Sequence, residues 1–107
     1  MAEYAFHHAA DAAHLGAGEV RQVVVDGREI ALYNIDGSFF ATDDGCTHEL
    51  ASLSEGLVDG GIVECPLHGG KFDIKTGRAV APPCTIDLTI YPVRREGQAV
   101  LVGLPVA

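Results

Sequence analysis

The sequence has little basic charge and no hydrophobic stretch long enough to cross a membrane. Seven lysines and arginines stand against fifteen acidic residues in 107, which gives a formal net charge of −8. This balance argues against nucleic-acid binding, which needs a basic surface, and against docking on anionic lipid. No apolar run approaches the roughly 20 residues of a membrane-spanning helix. The segment Met1 to Tyr4 has an acid and no basic residue, so we expect no secretory signal and a cytoplasmic location.

Cysteine is also scarce, and its number is odd. Three cysteines cannot form a complete disulfide framework. In a reducing cytoplasm, spaced cysteines bind metals or act in catalysis more often than they form bridges. The three cysteines are therefore candidates for metal ligands or catalytic groups.

The rest of the composition is that of one folded domain. Hydrophobic residues make up 48% of the chain and charged residues 21%, which is a globular balance and not that of a disordered chain. A chain of this length can bury a core without disulfide or metal staples and is too short for two domains, so we predict a single domain over residues 1–107.

The hydrophobic pattern is mostly that of short strands separated by tight turns. Asp26-Gly27 lies between the β-branched run Glu19–Val25 and the apolar run Arg28–Asn34, which predicts a hairpin. Four more strand pairs are predicted around Asp36-Gly37, Asp59–Gly61, Lys75–Arg78 and Glu96-Gly97. The pattern predicts an all-β fold, an antiparallel β-sandwich or small barrel.

Two further expectations concern the ends of this pattern. The alanine-rich segment Ala9–Leu15 is predicted to be briefly helical, ending at Gly16. The segment Thr85–Val93 is predicted to be one strand that pairs with Gln98–Val102.

Two segments interrupt the strand pattern, and each carries a cysteine and a histidine. Cys46 and His48 belong to the first, and Cys65 and His68 to the second. Sixteen residues separate His48 from Cys65, and the hairpin predicted between them would place the two loops side by side. Thiolate and imidazole ligands suit zinc or an iron–sulfur centre. Zinc fingers and ribbons usually pair Cys with Cys and His with His, whereas each loop here offers a mixed pair.

The C-x-H and C-x-x-H motifs resemble those of the Rieske [2Fe–2S] family. The chain resembles this family over essentially its whole length, including the Pro82-Pro83 segment. The resemblance implies the Rieske fold, with a cluster-binding subdomain of two loops at about residues 43–83. It also implies one Rieske-type [2Fe–2S] cluster, in which Cys46 and Cys65 bind one iron and His48 and His68 bind the other.

Four positions narrow the subclass. Respiratory Rieske proteins carry an extra cysteine in each loop, and the two form a disulfide; this chain has Ala51 and Leu67 at those positions. They also carry a serine and a tyrosine that donate hydrogen bonds to the cluster, where this chain has Gly70 and Phe72. The chain is thus more similar to the small ferredoxins of bacterial aromatic-ring-hydroxylating dioxygenases. That similarity implies a soluble one-electron carrier with no catalytic residues, monomeric when free. Its expected partners are an NAD(P)H-dependent flavoprotein ferredoxin reductase and a terminal oxygenase.

Two alternatives remain open from the sequence. The first is a small Rieske-type subunit of a nitrite reductase or another oxidoreductase complex. The second is a redox or metal sensor that holds zinc at the same loops. An absorption spectrum separates the second from an iron–sulfur protein, because zinc is colourless.

The surroundings of the loops carry their own expectations. Asp43, Asp44 and Glu49 are interpreted as solvated loop acids, with a docking patch as the alternative. Leu50, Leu67 and Pro82-Pro83 are expected to shield the cluster with apolar surface. Cys84 is expected to be a small buried hydrophobic residue that takes no part in the motif.

Overall fold

The computed structural model describes residues 3–47, 51–67 and 69–106. Within these ranges the chain forms eleven β-strands and two single-turn 3₁₀ helices, at Ala12–His14 and Leu53–Glu55. None of the helices in these ranges is long and apolar enough to span a membrane. The strands are β1 Tyr4–Asp11, β2 Val20–Val25, β3 Arg28–Ile35, β4 Ser38–Asp43, β5 Leu57–Asp59, β6 Ile62–Glu64, β7 Lys71–Asp73, β8 Ala79–Ala81, β9 Ile90–Tyr91, β10 Val93–Glu96 and β11 Ala99–Pro105.

The strands form three antiparallel sheets, which confirms the all-β prediction. Their strand orders are β1-β11-β10, β2-β3-β4-β9 and β5-β6-β7-β8. The predicted turns at Asp26-Gly27 and Asp36-Gly37 join β2 to β3 and β3 to β4. Both residues of each turn have positive φ, at 49° and 82° in the first and 52° and 91° in the second. This geometry matches the twist of the strands that the turns connect.

The predicted helix at Ala9–Leu15 is wrong over its first part. Ala10 and Asp11 belong to β1 and pair with Val100 and Ala99 of β11. Only the turn 12–14 is helical, and the Asp11 carboxylate caps it by accepting a hydrogen bond from the Ala13 N–H at 2.9 Å. Pairing with β11 therefore overrides the helix propensity of alanine in this segment.

The single strand predicted at Thr85–Val93 is also wrong. Only its last part is extended, as β9 and the start of β10. Pro92 separates them, because proline has no N–H to donate to a sheet. The two strands pair with different sheets, β9 with β4 and β10 with β11.

Strand β3 is buried on both of its faces and connects two hydrophobic cores. Ile30 and Leu32 face the first core, and the alternate residues Ala31 and Tyr33 face the second, as the two-residue period of a strand requires. The first core lies between the β2–β4 sheet and β11. The second core holds the cysteines of the motif, so one face of β3 packs against the candidate site. The buried residues of the second core are Ala31, Tyr33, Cys46, Leu53, Val63, Cys65, Phe72, Ile74, Cys84 and Leu88.

The side chain of Tyr33 is fully buried in this second core, and its hydroxyl has a hydrogen-bond partner. The Thr42 hydroxyl donates to the Asp43 carbonyl at 2.8 Å, so the Tyr33 hydroxyl donates to Thr42 Oγ1, also at 2.8 Å. Burial raises the pKa of Tyr33 well above its ordinary value of 10.0, and the nearby Asp44 carboxylate adds to that rise. The phenol therefore stays neutral in the folded protein at pH values where it ionises in the unfolded chain.

We expect the substitution Tyr33→Phe to weaken the alkaline sensitivity of the fold. Because folding raises the pKa of this phenol, its contribution to the free energy of unfolding is fully present at pH values below its pKa in the unfolded chain. As pH rises above 10, this contribution is lost at about 1.4 kcal/mol per pH unit. At pH 8 the variant should be less stable by about 1 kcal/mol, the value of one hydrogen bond. Between pH 8 and pH 11 that difference should shrink or reverse. Urea unfolding midpoints at both pH values measure it by circular dichroism.

The matched control is Tyr4→Phe, because Tyr4 is exposed. This variant should follow the wild-type pH dependence. A constant difference between Tyr33→Phe and wild type from pH 8 to pH 11 would contradict the assignment of a neutral, buried phenol.

Candidate metal centre

Each cysteine of the motif closes its own loop through its backbone N–H. The Cys46 N–H donates to the Ala51 carbonyl at 2.9 Å, and the Cys65 N–H donates to the Gly70 carbonyl at 2.7 Å. Both bonds span five residues, so two loops of equal length begin at a buried cysteine. His48 and His68 belong to these two loops in the sequence and lie outside the described residues.

A short hairpin and a close backbone contact hold the two loops next to each other. Strands β5 and β6 pair antiparallel between the loops, which confirms the hairpin expected there. Gly56, just before β5, lies so close to the Glu64 carbonyl that an added β-carbon would overlap it. Since Glu64 precedes Cys65, this contact fixes the end of the first loop against the start of the second.

The three cysteine side chains are all buried in the second core. Their exposed fractions are 9% for Cys46, 1% for Cys65 and 4% for Cys84. Cys46 Sγ and Cys84 Sγ are 3.9 Å apart, which is much longer than a disulfide bond. Burial first, and then the neighbouring Cys46, raise the pKa of the Cys84 thiol to about 12. The burial expected for Cys84 is confirmed, and its sulfur lies in contact with that of the motif cysteine Cys46.

Asp44 is a buried structural carboxylate, which corrects the expectation that it is solvated or part of a docking patch. Only 1% of it is exposed. Its two oxygens accept from Gln22 Nε2 at 2.7 Å and from the Ser54 N–H at 2.8 Å. These bonds tie the residue that leads into the first loop to strand β2 and to the 3₁₀ turn Leu53–Glu55 that follows the loop. The sequence holds one signal for this role, a polar Gln22 on the strand that pairs with β3.

Asp43 is half-buried and also has a structural partner. Its carboxylate accepts from the Tyr91 hydroxyl at 2.5 Å, and Arg28 Nη1 donates to the same hydroxyl at 3.2 Å. Burial, followed by the hydrogen bond to Asp43, raises the pKa of Tyr91. The remaining acid of the group, Glu49, lies outside the described residues.

The expected apolar shield is described in part. Leu67 is 44% exposed at the tip of the second loop, and Pro82 is exposed while Pro83 is half-buried. Leu50 lies outside the described residues. Apolar surface is therefore present beside the second loop and along the segment that leads to Cys84.

The residues present fit an iron–sulfur centre. Two buried thiols stand at the starts of adjacent loops, and soft sulfur ligands suit such a centre. Among the described residues, no group of three histidine, cysteine, aspartate or glutamate side chains is placed to hold a metal ion. The other two ligands expected from the sequence, His48 and His68, lie outside the described residues.

Comparison with known proteins places the chain in a family. The model of the Rieske [2Fe-2S] domain matches residues 5–92, and the chain belongs to this family. It is 48% identical over 87 residues to the ferredoxin component of a naphthalene 1,2-dioxygenase system of Pseudomonas aeruginosa, covering 81% of this chain and 84% of that protein. It is 52% identical over 86 residues to the biphenyl dioxygenase ferredoxin subunit of Pseudomonas sp. strain KKS102, covering 79% of each.

Solved structures agree with this placement. A ferredoxin of Sphingomonas yanoikuyae B1 matches with a TM-score of 0.89 and 42% identity, over 94% of this chain and 100% of that one. A chain from the complex of reduced oxygenase and oxidized ferredoxin in carbazole 1,9a-dioxygenase matches with a TM-score of 0.86 and 39% identity, over 91% of each.

A third comparison bears on the nitrite reductase alternative. A chain assigned to the small subunit of an NADH-dependent nitrite reductase of Mycobacterium tuberculosis matches with a TM-score of 0.85 and 25% identity, over 98% of each. This likeness is more distant than those to the ferredoxins.

These findings confirm the Rieske fold and the Rieske-type [2Fe–2S] cofactor that the sequence predicted. They also remove the basis for a zinc sensor, since the family is defined by its iron–sulfur cluster.

Proposed function

We propose that this protein is a one-electron carrier of a multicomponent aromatic-ring-hydroxylating dioxygenase. The observation that carries this proposal is the similarity, over about four fifths of the chain, to ferredoxin components of such systems. The carrier accepts electrons from an NAD(P)H-dependent flavoprotein reductase and delivers them to a terminal oxygenase. It has no substrate of its own and no catalytic residue.

The cluster ligands are Cys46 and Cys65 for one iron and His48 and His68 for the other. When bound, the [2Fe–2S] cluster takes up and returns one electron. The chain supplies two closed loops, each starting at a buried cysteine. The second core packs around the two cysteines and buries their thiols, so it excludes water from the thiolate side of the cluster.

The chain works as a single domain over residues 1–107, a monomer when free, in the cytoplasm. Its acidic charge of −8 suits protein partners with basic surfaces and disfavours nucleic acid and anionic membranes. These assignments rest on composition and on the family, and size-exclusion chromatography of the loaded protein tests the monomeric state.

Reconstitution tests the proposed function directly. The loaded protein is combined with NADH, a ferredoxin reductase and the oxygenase of a naphthalene or biphenyl dioxygenase system, and dihydroxylated product is measured. We expect product only when the carrier is present. A loaded carrier that the reductase cannot reduce, or that cannot reduce any such oxygenase, would overturn the proposal.

The same assay yields a prediction on salt dependence. The Debye length falls from about 10 Å at 0.1 M salt to about 3 Å at 1 M, so attraction between an acidic carrier and a basic partner is screened. With the carrier limiting, the rate of electron transfer should therefore fall as salt rises. Reduction of ferricyanide by the reductase alone, at the same salt concentrations, controls for effects on the reductase.

A rate that stays flat from low to high salt would contradict an electrostatic encounter. It would assign the attraction to apolar side chains near the loops. Leu67 and Ile86, which are 44% and 65% exposed, would then be the residues to replace.

A further inference from the structure

The Cys84 sulfur occupies a fixed position between the two ligand loops. It lies 3.9 Å from Cys46 Sγ and so close to Gly70 that a β-carbon added to Gly70 would overlap it. The same added atom would also lie 3.1 Å from the Cys84 N and Cβ atoms. Cys84 therefore fills the space that a side chain at residue 70 would need.

The position of Cys84 is secured from the first loop as well. The Thr47 hydroxyl, next to Cys46, donates to the Ile86 carbonyl at 2.7 Å, which ties the first loop to the chain two residues beyond Cys84. With Gly70 on its other side, the Cys84 side chain has little freedom to move away from Cys46. The distance between the two sulfurs is thus set by the surrounding backbone contacts and not by a mobile side chain.

The direction of the contact follows from the chemistry of its two sulfurs. A cysteine that binds iron does so as a thiolate, which can accept a hydrogen bond but has no proton to donate. A thiol is a weak donor, and a hydrogen bond to a charged acceptor is stronger than one to a neutral acceptor. If Cys46 is a ligand, as proposed above, the proton of this contact belongs to Cys84.

We propose that Cys84 is a positioning residue for electron transfer, whose thiol donates a hydrogen bond to the ligand sulfur of Cys46 and thereby favours the reduced cluster. Reduction adds negative charge that spreads onto the ligand sulfurs, so a donor at Cys46 stabilises the reduced state more than the oxidised state. Hydrogen bonds to the sulfurs are among the factors that set the reduction potential of iron–sulfur proteins. This inference rests on the proposed ligand assignment, and it gives a function to a cysteine outside the motif.

The Cys84→Ala variant of the loaded protein tests the proposal. It deletes the donor and leaves both ligand loops intact, so the absorption and electron paramagnetic resonance spectra should remain those of a Rieske centre. The equilibrium constant for reduction should fall about threefold to tenfold, which is about 28 to 59 mV for a one-electron couple. Protein-film voltammetry measures this shift. Cys84→Ser keeps a donor, so its potential should lie closer to that of the wild type.

Ile74→Val provides the matched packing control. Ile74 lies in the same buried core, at 1% exposed, and the change removes one methylene group without touching a sulfur. Its reduction potential should equal the wild-type value. If Ile74→Val shifted the potential as far as Cys84→Ala does, the effect would come from packing, and the proposal would be overturned.

The S–H stretching band in the infrared spectrum gives a second readout that does not depend on electron transfer to a partner. With two of three cysteines bound to iron, the loaded protein should show one S–H band, and Cys84→Ala should remove it. Reduction of the cluster should move the band to lower wavenumber, because the Cys46 sulfur becomes a stronger acceptor. A band that does not respond to reduction, together with a Cys84→Ala shift below about twofold, would overturn the proposal.

The outcomes also separate this inference from the proposed function. Retention of the Rieske signal in Cys65→Ser with its loss in both Cys84 variants would make Cys84 a ligand and refute the ligand assignment together with the inference. If Cys84→Ala lowers the reduction potential as expected but no reductase can reduce the carrier, the inference would stand and the proposed function would be rejected.

Discussion

The His68→Ala variant is expected to lose its [2Fe–2S] cluster or to hold it only transiently. His68 is one of two proposed imidazole ligands, and the loop to which it belongs in the sequence is closed by the hydrogen bond between Cys65 and Gly70. Removing one of four ligands leaves an iron open to water, and among the described residues no group of three histidine, cysteine, aspartate or glutamate side chains is placed to hold the metal instead. The variant should therefore lack the visible absorption and the electron paramagnetic resonance signal of the wild type, and its iron content should fall severalfold.

The control for this variant is His14→Ala. His14 is exposed at the end of the first 3₁₀ turn, far from the motif in sequence, so its loss should leave iron content and spectra unchanged. Iron content of His68→Ala equal to that of the wild type, with an unchanged spectrum, would show that another residue holds the second iron.

The fold could be predicted wherever a local signal and the tertiary structure agree. Asp26-Gly27 and Asp36-Gly37 specify hairpins because both turn positions take positive φ. The two cysteine–histidine segments were recognisable because their residue types and spacing are specific to one kind of centre. The helix prediction at residues 9–15 failed because alanine favours a helix only when no strand partner competes, and β11 is such a partner.

The surroundings of the site could be predicted less well, because burial depends on contacts distant in sequence. Asp44 has an acidic side chain next to glycine, which is typical of a solvated loop. Its burial depends on Gln22, which is 22 residues away. Cys84 lies 38 residues from Cys46, and no local pattern indicates that the two sulfurs meet. The nearest signal is the Pro82-Pro83 segment, which the family resemblance places beside the cluster.

The second large effect is expected in the reduction potential of the wild-type protein, which should lie in the lower part of the Rieske range. Gly70 and Phe72 stand where respiratory Rieske proteins have hydroxyl donors to the cluster. In this fold Gly70 has no room for a side chain beside Cys84, and Phe72 is fully buried in the core that holds the cysteines. Neither residue can supply a hydroxyl, and the Cys84 thiol is a weaker donor than the groups it stands in for.

The size of this effect follows from the strength of the missing bonds. Two hydrogen bonds to charged groups, at about 1.5–3 kcal/mol each, correspond to about 130–260 mV for one electron. Such a loss covers roughly a third to a half of the roughly 450 mV between the upper end of the Rieske range and its lower end near −150 mV. The proposed function favours a midpoint in the remaining, lower part of the range, since the electron must pass downhill from a flavin and still reduce an oxygenase. Protein-film voltammetry at pH 7 measures this midpoint.

Phe72→Tyr returns one of the two hydroxyls and therefore tests the cause of the low potential. If the ring keeps its place in the core that holds the cysteines, the added donor should raise the midpoint by about 65–130 mV, the equivalent of one charge-assisted bond. The visible spectrum should keep its Rieske form, which separates a tuned cluster from a damaged one. A wild-type midpoint above about +200 mV, in the upper part of the Rieske range, would mean that backbone N–H groups and Cys84 replace both hydroxyls. In that case Phe72→Tyr should change the potential little, because the ligand sulfur would already have its full set of donors.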